Sequence, residues 1–282
     1  MSGGKTFRGF QRRGGVPRRG FTLIELLVVI SVVVLLMALM LPALSRARKQ
    51  AQAVVCQSRL RQWGLLFKVY TDTNEGRWFM KHIQSEGRTG PNNWLGLVAP
   101  FLRGNIPLAA CPTATKYTPD EDAVTAFTAW WPAGKDVAVN QTGELLYGPV
   151  SYGFNRFISW SDNEDPRTPS SRKYSWGLSD VRGAARVPVL CDCLRANAGA
   201  SSSQGPPPRD AWPFYFHQPM CINRHNGGIN MLFMDWSARK VGLKELWTLK
   251  WYPGYDTAGP WTIAGGVLAE DWPEWMRGFK DY

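Results

Sequence analysis

The chain has 282 residues, 44% of them hydrophobic and 13% aromatic, with fourteen tryptophans, which is ample material for a buried core. Its formal charge of +11 comes from 33 Lys and Arg against 22 Asp and Glu, but Lys5, Arg8, Arg12, Arg13, Arg18 and Arg19 crowd into residues 1–20 with no acid among them. No later stretch joins a dense basic stripe to aromatics, which argues against a nucleic-acid partner, and five cysteines are too sparse for a disulfide scaffold.

Behind the basic leader, Phe21 to Leu44 is a run of 24 residues in which Glu25 is the only charge. About 20 apolar residues, rising 1.5 Å each, cross a bilayer core. The positive leader predicts a cytoplasmic amino end and a body delivered outside. A secretory signal peptide carries a shorter apolar run and a small-residue cut after it; here the small residue, Gly20, stands before the run. A carboxylate in the bilayer costs on the order of 2.5–3.5 kcal/mol and usually faces a partner. A cut between Gly20 and Phe21 would create an α-amine four residues from Glu25. A cation on the same or a neighbouring helix could then neutralise the carboxylate.

The stretch "RRGFTLIELLVVISVVVLLMALMLPAL", residues 18–44, resembles the amino-terminal segment of type IV prepilins and type II secretion pseudopilins. The resemblance implies cleavage after Gly20 by a prepilin peptidase that also N-methylates Phe21. It implies that Glu25 pairs with a neighbouring subunit's terminus during assembly, and that Pro42 kinks the helix. It implies as partners the peptidase, other pilin or pseudopilin subunits and an inner-membrane assembly platform. The expected location is the inner membrane, single-pass, with the head periplasmic or extracellular.

Past Pro42 the pattern stays helical. Cys56, Leu60, Trp63, Phe67 and Tyr70 make one apolar stripe, and "TDTNEG" predicts its end. The expected organisation is a leader at 1–20, a transmembrane helix at 21–44, the soluble half of the same helix at 45–73, and a head at 74–282. "YGPVSYGFNRFISW" and "VPVLCDC" read as strands. "INMLFMDWSARKV" reads as two strands joined by a turn at Asp235 and Trp236, and "LKELWTLKWY" as a short helix. The expected fold class is α+β: a long helix against a small antiparallel sheet, pilin-like.

"RHNGGINMLFMDW" places Asp235 nine residues beyond His225, and it resembles the His-x9-Asp motif of the planctomycete-type pilin-like proteins. Trp236 stands where that group has Gly. His225 and Asp235 are expected to be structural and to lie at opposite ends of one strand.

Candidate chemistry is thin. Cys191, Cys193, Cys221 and His225 offer a C-x-C and C-x-x-x-H set for zinc, although a zinc knuckle normally spaces its first pair by two to four residues. Asp192, Asp235, Asn230 and Asn223 offer oxygens for calcium without a spaced acidic loop, and residues 161–166 are the densest acidic patch. His82, His217 and His225 lie in no nucleophile signature, so no enzyme is expected. No cofactor or metal is expected either, with calcium and zinc as weak candidates. Cys56 faces the head on the stripe and Cys111 precedes a proline in a loop, so a Cys56–Cys111 disulfide is expected, with other pairings open. The leading function is a structural subunit of a type II pseudopilus or pilus-like filament. The rival is a membrane-anchored envelope module that binds glycan or protein and does not polymerise.

Overall fold

The computed structural model describes residues 21–79, 94, 106–114, 116–117, 124–129, 150–159, 174–211 and 218–282. The leader with Gly20, His82, His217 and the acidic patch at 161–166 lie outside the described residues. The chain divides into two compact units, one ending at Ala47 and the other beginning at Arg48.

Helix α1 runs from Leu23 to Thr73, with Pro42 inside it. It starts on a capping box. Thr22 N and Oγ1 both donate to Glu25 Oε2 at 2.8 Å, and Glu25 N donates back to Thr22 Oγ1 at 3.2 Å. This reciprocal pairing satisfies donors that a helix start would otherwise leave open. Within the first unit the large apolar side chains from Leu23 to Leu44 are exposed. Among the described residues, α1 is the one helix long and apolar enough to cross a membrane.

In the second unit α1 becomes amphipathic. Cys56, Leu60, Trp63, Gly64, Phe67 and Thr71 are buried, and Tyr70 packs half-buried beside them. These positions recur at the three- and four-residue spacing that keeps side chains on one face. The helix ends where Glu75 and Gly76 take positive φ angles of 56° and 75°, and Gly76 N closes onto Thr71 O at 2.8 Å.

Among the described residues seven strands follow: β1 (Lys116–Tyr117), β2 (Thr128–Ala129), β3 (Tyr152–Asn155), β4 (Pro188–Asp192), β5 (Asn197–Ala198), β6 (Gly228–Phe233) and β7 (Ala238–Gly242). β1 and β2 pair in parallel, and the remaining five form one sheet in the order β5-β3-β4-β6-β7. The sheet is mixed rather than antiparallel throughout. β3–β4, β4–β6 and β6–β7 are antiparallel, but β5 lies parallel to β3. The segment between Asp192 and Asn197 reverses the chain and lays β5 on the far side of β3. The segment "LKELWTLKWY" forms a 3-10 turn at Lys244–Thr248.

Strand side chains alternate between faces, which gives the sheet two cores. Tyr152, Phe154, Leu190 and Leu232 pack with Leu60, Trp63 and Phe67 of α1 and with Trp78 and Trp94. On the opposite face Cys191, Ile229, Met231, Phe233 and Val241 pack with Trp247, Trp251, Trp272 and Met276 of the carboxy-terminal segment. That segment is a series of short 3-10 turns ending in α2 (Glu274–Arg277). Among the described residues six tryptophans (Trp63, Trp78, Trp94, Trp247, Trp251 and Trp272) are fully buried in these cores.

Candidate functional site

Among the described residues, two buried polar side chains interrupt the α1-facing side of the sheet, Asp192 at the end of β4 and Asn230 in β6. Asp192 is wholly buried, and a buried carboxylate must find partners. Cys56 comes to it from α1. Cys111 follows the 3-10 turn at Ile106–Ala109, and its N donates to Ser151 Oγ at 2.6 Å. His225 lies in the loop before β6. There Asn226 and Gly227 take φ angles of 51° and 82°, Gly227 N donates to Asn223 Oδ1 at 2.7 Å, and His225 N donates to Gly228 O at 2.8 Å. This tight reversal turns the imidazole inward.

One ligand atom from each of Cys56, Cys111, Asp192 and His225 lies within 4.8 Å of all the others. The first three residues are 0% exposed and His225 is 6% exposed. His225 Nε2 is 3.0 Å from Asp192 Oδ2 and 3.4 Å from Cys111 Sγ. Cys56 Sγ is 3.7 Å from both Asp192 oxygens and 3.3 Å from Tyr152 OH. Cys111 Sγ is 3.1 Å from Thr113 Oγ1. Asp192 Oδ2 also accepts from Asn230 N at 2.8 Å.

Arg224 anchors the cluster. Its guanidinium donates to Asp192 Oδ1 at 3.1 Å and to the carbonyls of Ser151 (2.8 Å), Ala126 (2.6 Å), Thr128 (3.1 Å) and Cys193 (3.4 Å). A buried cation persists only when paired and fully hydrogen-bonded, and this one is both.

Burial raises the Asp192 pKa, but the His225 hydrogen bond and the Arg224 charge outweigh it, and the carboxyl stays below its ordinary value. Burial also pushes the Cys111 thiol up, while hydrogen bonds from Cys56 and His225 bring it down to about 6. For His225, burial favours the neutral ring, but hydrogen bonds to Asp192 and Cys111 raise it to about 9. Burial holds the Cys56 thiol well above its usual range.

The structure regroups the residues singled out from the sequence. Of the Cys191, Cys193, Cys221 and His225 set, only His225 is in the cluster. Cys191 and Cys193 point to the opposite face of the sheet from Asp192, because side chains alternate along a strand. Cys191 Sγ lies against Gly153 O at 3.8 Å, Cys193 Sγ against Asn197 O at 3.8 Å, and Cys221 Sγ against Met276 Sδ at 4.0 Å. The calcium set is also dispersed. Asp235 sits in the β6–β7 turn, Asn223 caps the loop before β6, and only Asp192 and Asn230 touch. Cys56 and Cys111 do meet, as free thiols. His225 and Asp235 lie at opposite ends of β6. Asp235 Oδ1 accepts from Ser237 N at 3.0 Å and Oγ at 2.6 Å. Asp192 in this role was legible only through the alternation that separates it from its cysteine neighbours. Arg224 carried no signal, since an arginine beside a histidine normally reads as surface.

An amino-terminal helix of membrane-spanning type, joined to an α+β head, describes the class of molecule. More particularly, residues 17–41 match the prokaryotic N-terminal methylation motif. The match includes Gly20, Phe21 and Glu25 and stops one residue before Pro42; His225 and Asp235 lie outside it. No curated protein matches the chain, and no solved structure matches it. The chain thus carries a prepilin-type amino-terminal segment, and its apolar helix is consistent with single-helix membrane anchoring.

Proposed function

We propose that this chain is a structural subunit, a pseudopilin or minor pilin, of a type II secretion pseudopilus or a pilus-like envelope filament. The observation that carries this reading is the methylation motif at residues 17–41 leading directly into an apolar helix. A prepilin peptidase would cut between Gly20 and Phe21 and methylate the new terminus. Removing the cationic leader would take away the charges that hold the helix in the inner leaflet and let it pack against neighbours through Glu25, with the amino end on the cytoplasmic side and the head outside. An enzymatic role is not part of this reading.

Mass spectrometry of the membrane-extracted protein tests it. The expected amino-terminal peptide begins at methylated Phe21. An intact leader in cells that contain the peptidase would refute the reading.

One observation favours a second reading, a membrane-anchored envelope module that does not polymerise. Thr22 already engages one oxygen of the Glu25 carboxylate, Oε2, within the chain. The two readings part on whether Glu25→Ala reduces crosslinking between subunits.

A further inference from the structure

We propose that Cys56, Cys111, Asp192 and His225 form a buried site for a single divalent transition-metal ion, zinc foremost. All four residues lie in the unit that begins at Arg48, and the site does not depend on whether the chain polymerises.

The donor set is the first argument. Two sulfurs, one imidazole nitrogen and one carboxylate oxygen are the ligand types zinc takes in closed four-coordinate sites. They come from four separate parts of the chain: α1, the loop after Ala109, β4 and the loop before β6. Geometry is the second. Zinc bonds of about 2.3 Å to sulfur and about 2.0–2.2 Å to nitrogen or oxygen, arranged tetrahedrally, put neighbouring ligand atoms roughly 3.3–3.8 Å apart. The sulfur–nitrogen edge from Cys111 to His225 is 3.4 Å, and the sulfur–oxygen edge from Cys56 to Asp192 is 3.7 Å. The nitrogen–oxygen edge from His225 to Asp192, at 3.0 Å, would open by a few tenths of an ångström.

Charge is the third argument. Two thiolates and one carboxylate carry three negative charges, and a divalent ion with Arg224 carries three positive. With a neutral imidazole the buried site closes at zero, which an interior of low dielectric demands. A monovalent ion would leave one negative charge unmatched. The outer groups also fit. Ligating atoms are normally held by further hydrogen bonds. Here Tyr152 OH lies on Cys56 Sγ, Thr113 Oγ1 on Cys111 Sγ, and Arg224 and Asn230 N on the Asp192 carboxylate. Cys191, Cys193 and Cys221 lie instead against Gly153 O, Asn197 O and Met276 Sδ, away from the Asp192 carboxylate and its cluster. Metal binding would release the thiol protons and any proton on His225, and it would tie α1 to the sheet at their shared core.

The test uses the full chain, extracted in detergent under reductant. Elemental analysis should find close to one zinc per chain. Cobalt loaded in its place should show thiolate-to-metal charge transfer and the intense visible bands of tetrahedral coordination. Loss of an outer-shell partner typically costs about 10–100-fold in metal affinity, so Cys111→Ser and His225→Gln should weaken zinc binding by at least that factor in competition with a chromophoric chelator. Cys221→Ser should bind as the parent does. If the variants do not fold, the parent chain decides alone. Free Cys56 and Cys111 thiols without zinc uptake, or a Cys56–Cys111 disulfide in protein taken from the envelope, would overturn the proposal. Undiminished binding in folded Cys111→Ser would also overturn it.

Discussion

His225 Nε2 and Asp192 Oδ2 lie 3.0 Å apart, one from a loop and the other from the end of a strand, and Arg224 holds the opposite oxygen of the same carboxylate at 3.1 Å. The buried carboxylate therefore sits between two potential cations. Removing one member leaves the others buried and unmatched.

Asp192→Asn should accordingly cost about 3–5 kcal/mol, the usual penalty for breaking a buried pair from one side. Arg224→Met should cost a similar amount. The double variant Asp192→Leu with Arg224→Met should lose clearly less than the sum, because no uncompensated charge remains. Denaturant unfolding of the full chain in detergent, with chelator present throughout, measures all three. Strict additivity would show that the two residues do not act as a pair.

Trp236 occupies a left-handed backbone conformation with φ 67°. The β6–β7 turn is closed by Trp236 N to Phe233 O at 2.9 Å and Phe233 N to Ser237 O at 2.8 Å. The ring packs tilted on Trp78, 5.9 Å between centroids. A left-handed residue with a Cβ costs roughly 1–2 kcal/mol, and here the indole contact offsets it. Trp236→Ala should lose the ring and keep the strain, so Trp236→Gly should be the more stable of the two by about 1 kcal/mol. Thermal melts of the two variants side by side give the answer, and an alanine variant at least as stable as glycine would be evidence against it.

Trp63 is fully buried on the α1 stripe, and its Nε1 donates to Leu108 O at 2.8 Å. Leu65, two residues on, is 65% exposed on the same helix. Trp63→Ala should destabilise the head by about 3–5 kcal/mol. Leu65→Ala should stay within about 0.5 kcal/mol of the parent. Similar losses at both positions would mean that α1 does not bury the stripe seen here.

The Thr22–Glu25 capping box separates two roles of Glu25. Thr22→Ala should weaken the helix start by about 1 kcal/mol, as cap losses do, and leave subunit crosslinking unchanged. Glu25→Ala removes both the cap partner and the proposed assembly contact, so membrane insertion should persist while crosslinking falls sharply. In-cell crosslinking of both variants distinguishes the roles. An equal fall in both would reduce Glu25 to a capping residue.

Local pattern was enough for the apolar helix, its extension past Pro42 and its buried stripe, because a helical period and a run of membrane length are properties of consecutive residues. The β6–β7 hairpin was legible for the same reason, since "INMLFM" and "ARKV" flank a short polar turn. Tertiary structure alone decided the pairing of β5 with β3, which depends on where the chain lands after Cys193. It also decided the membership of the buried cluster. Cys56, Cys111, Asp192 and His225 are far apart in the chain and share no spacing. What brings them together is the packing of α1 across the sheet, with strand alternation sending Asp192 toward the helix and Cys191 and Cys193 away from it.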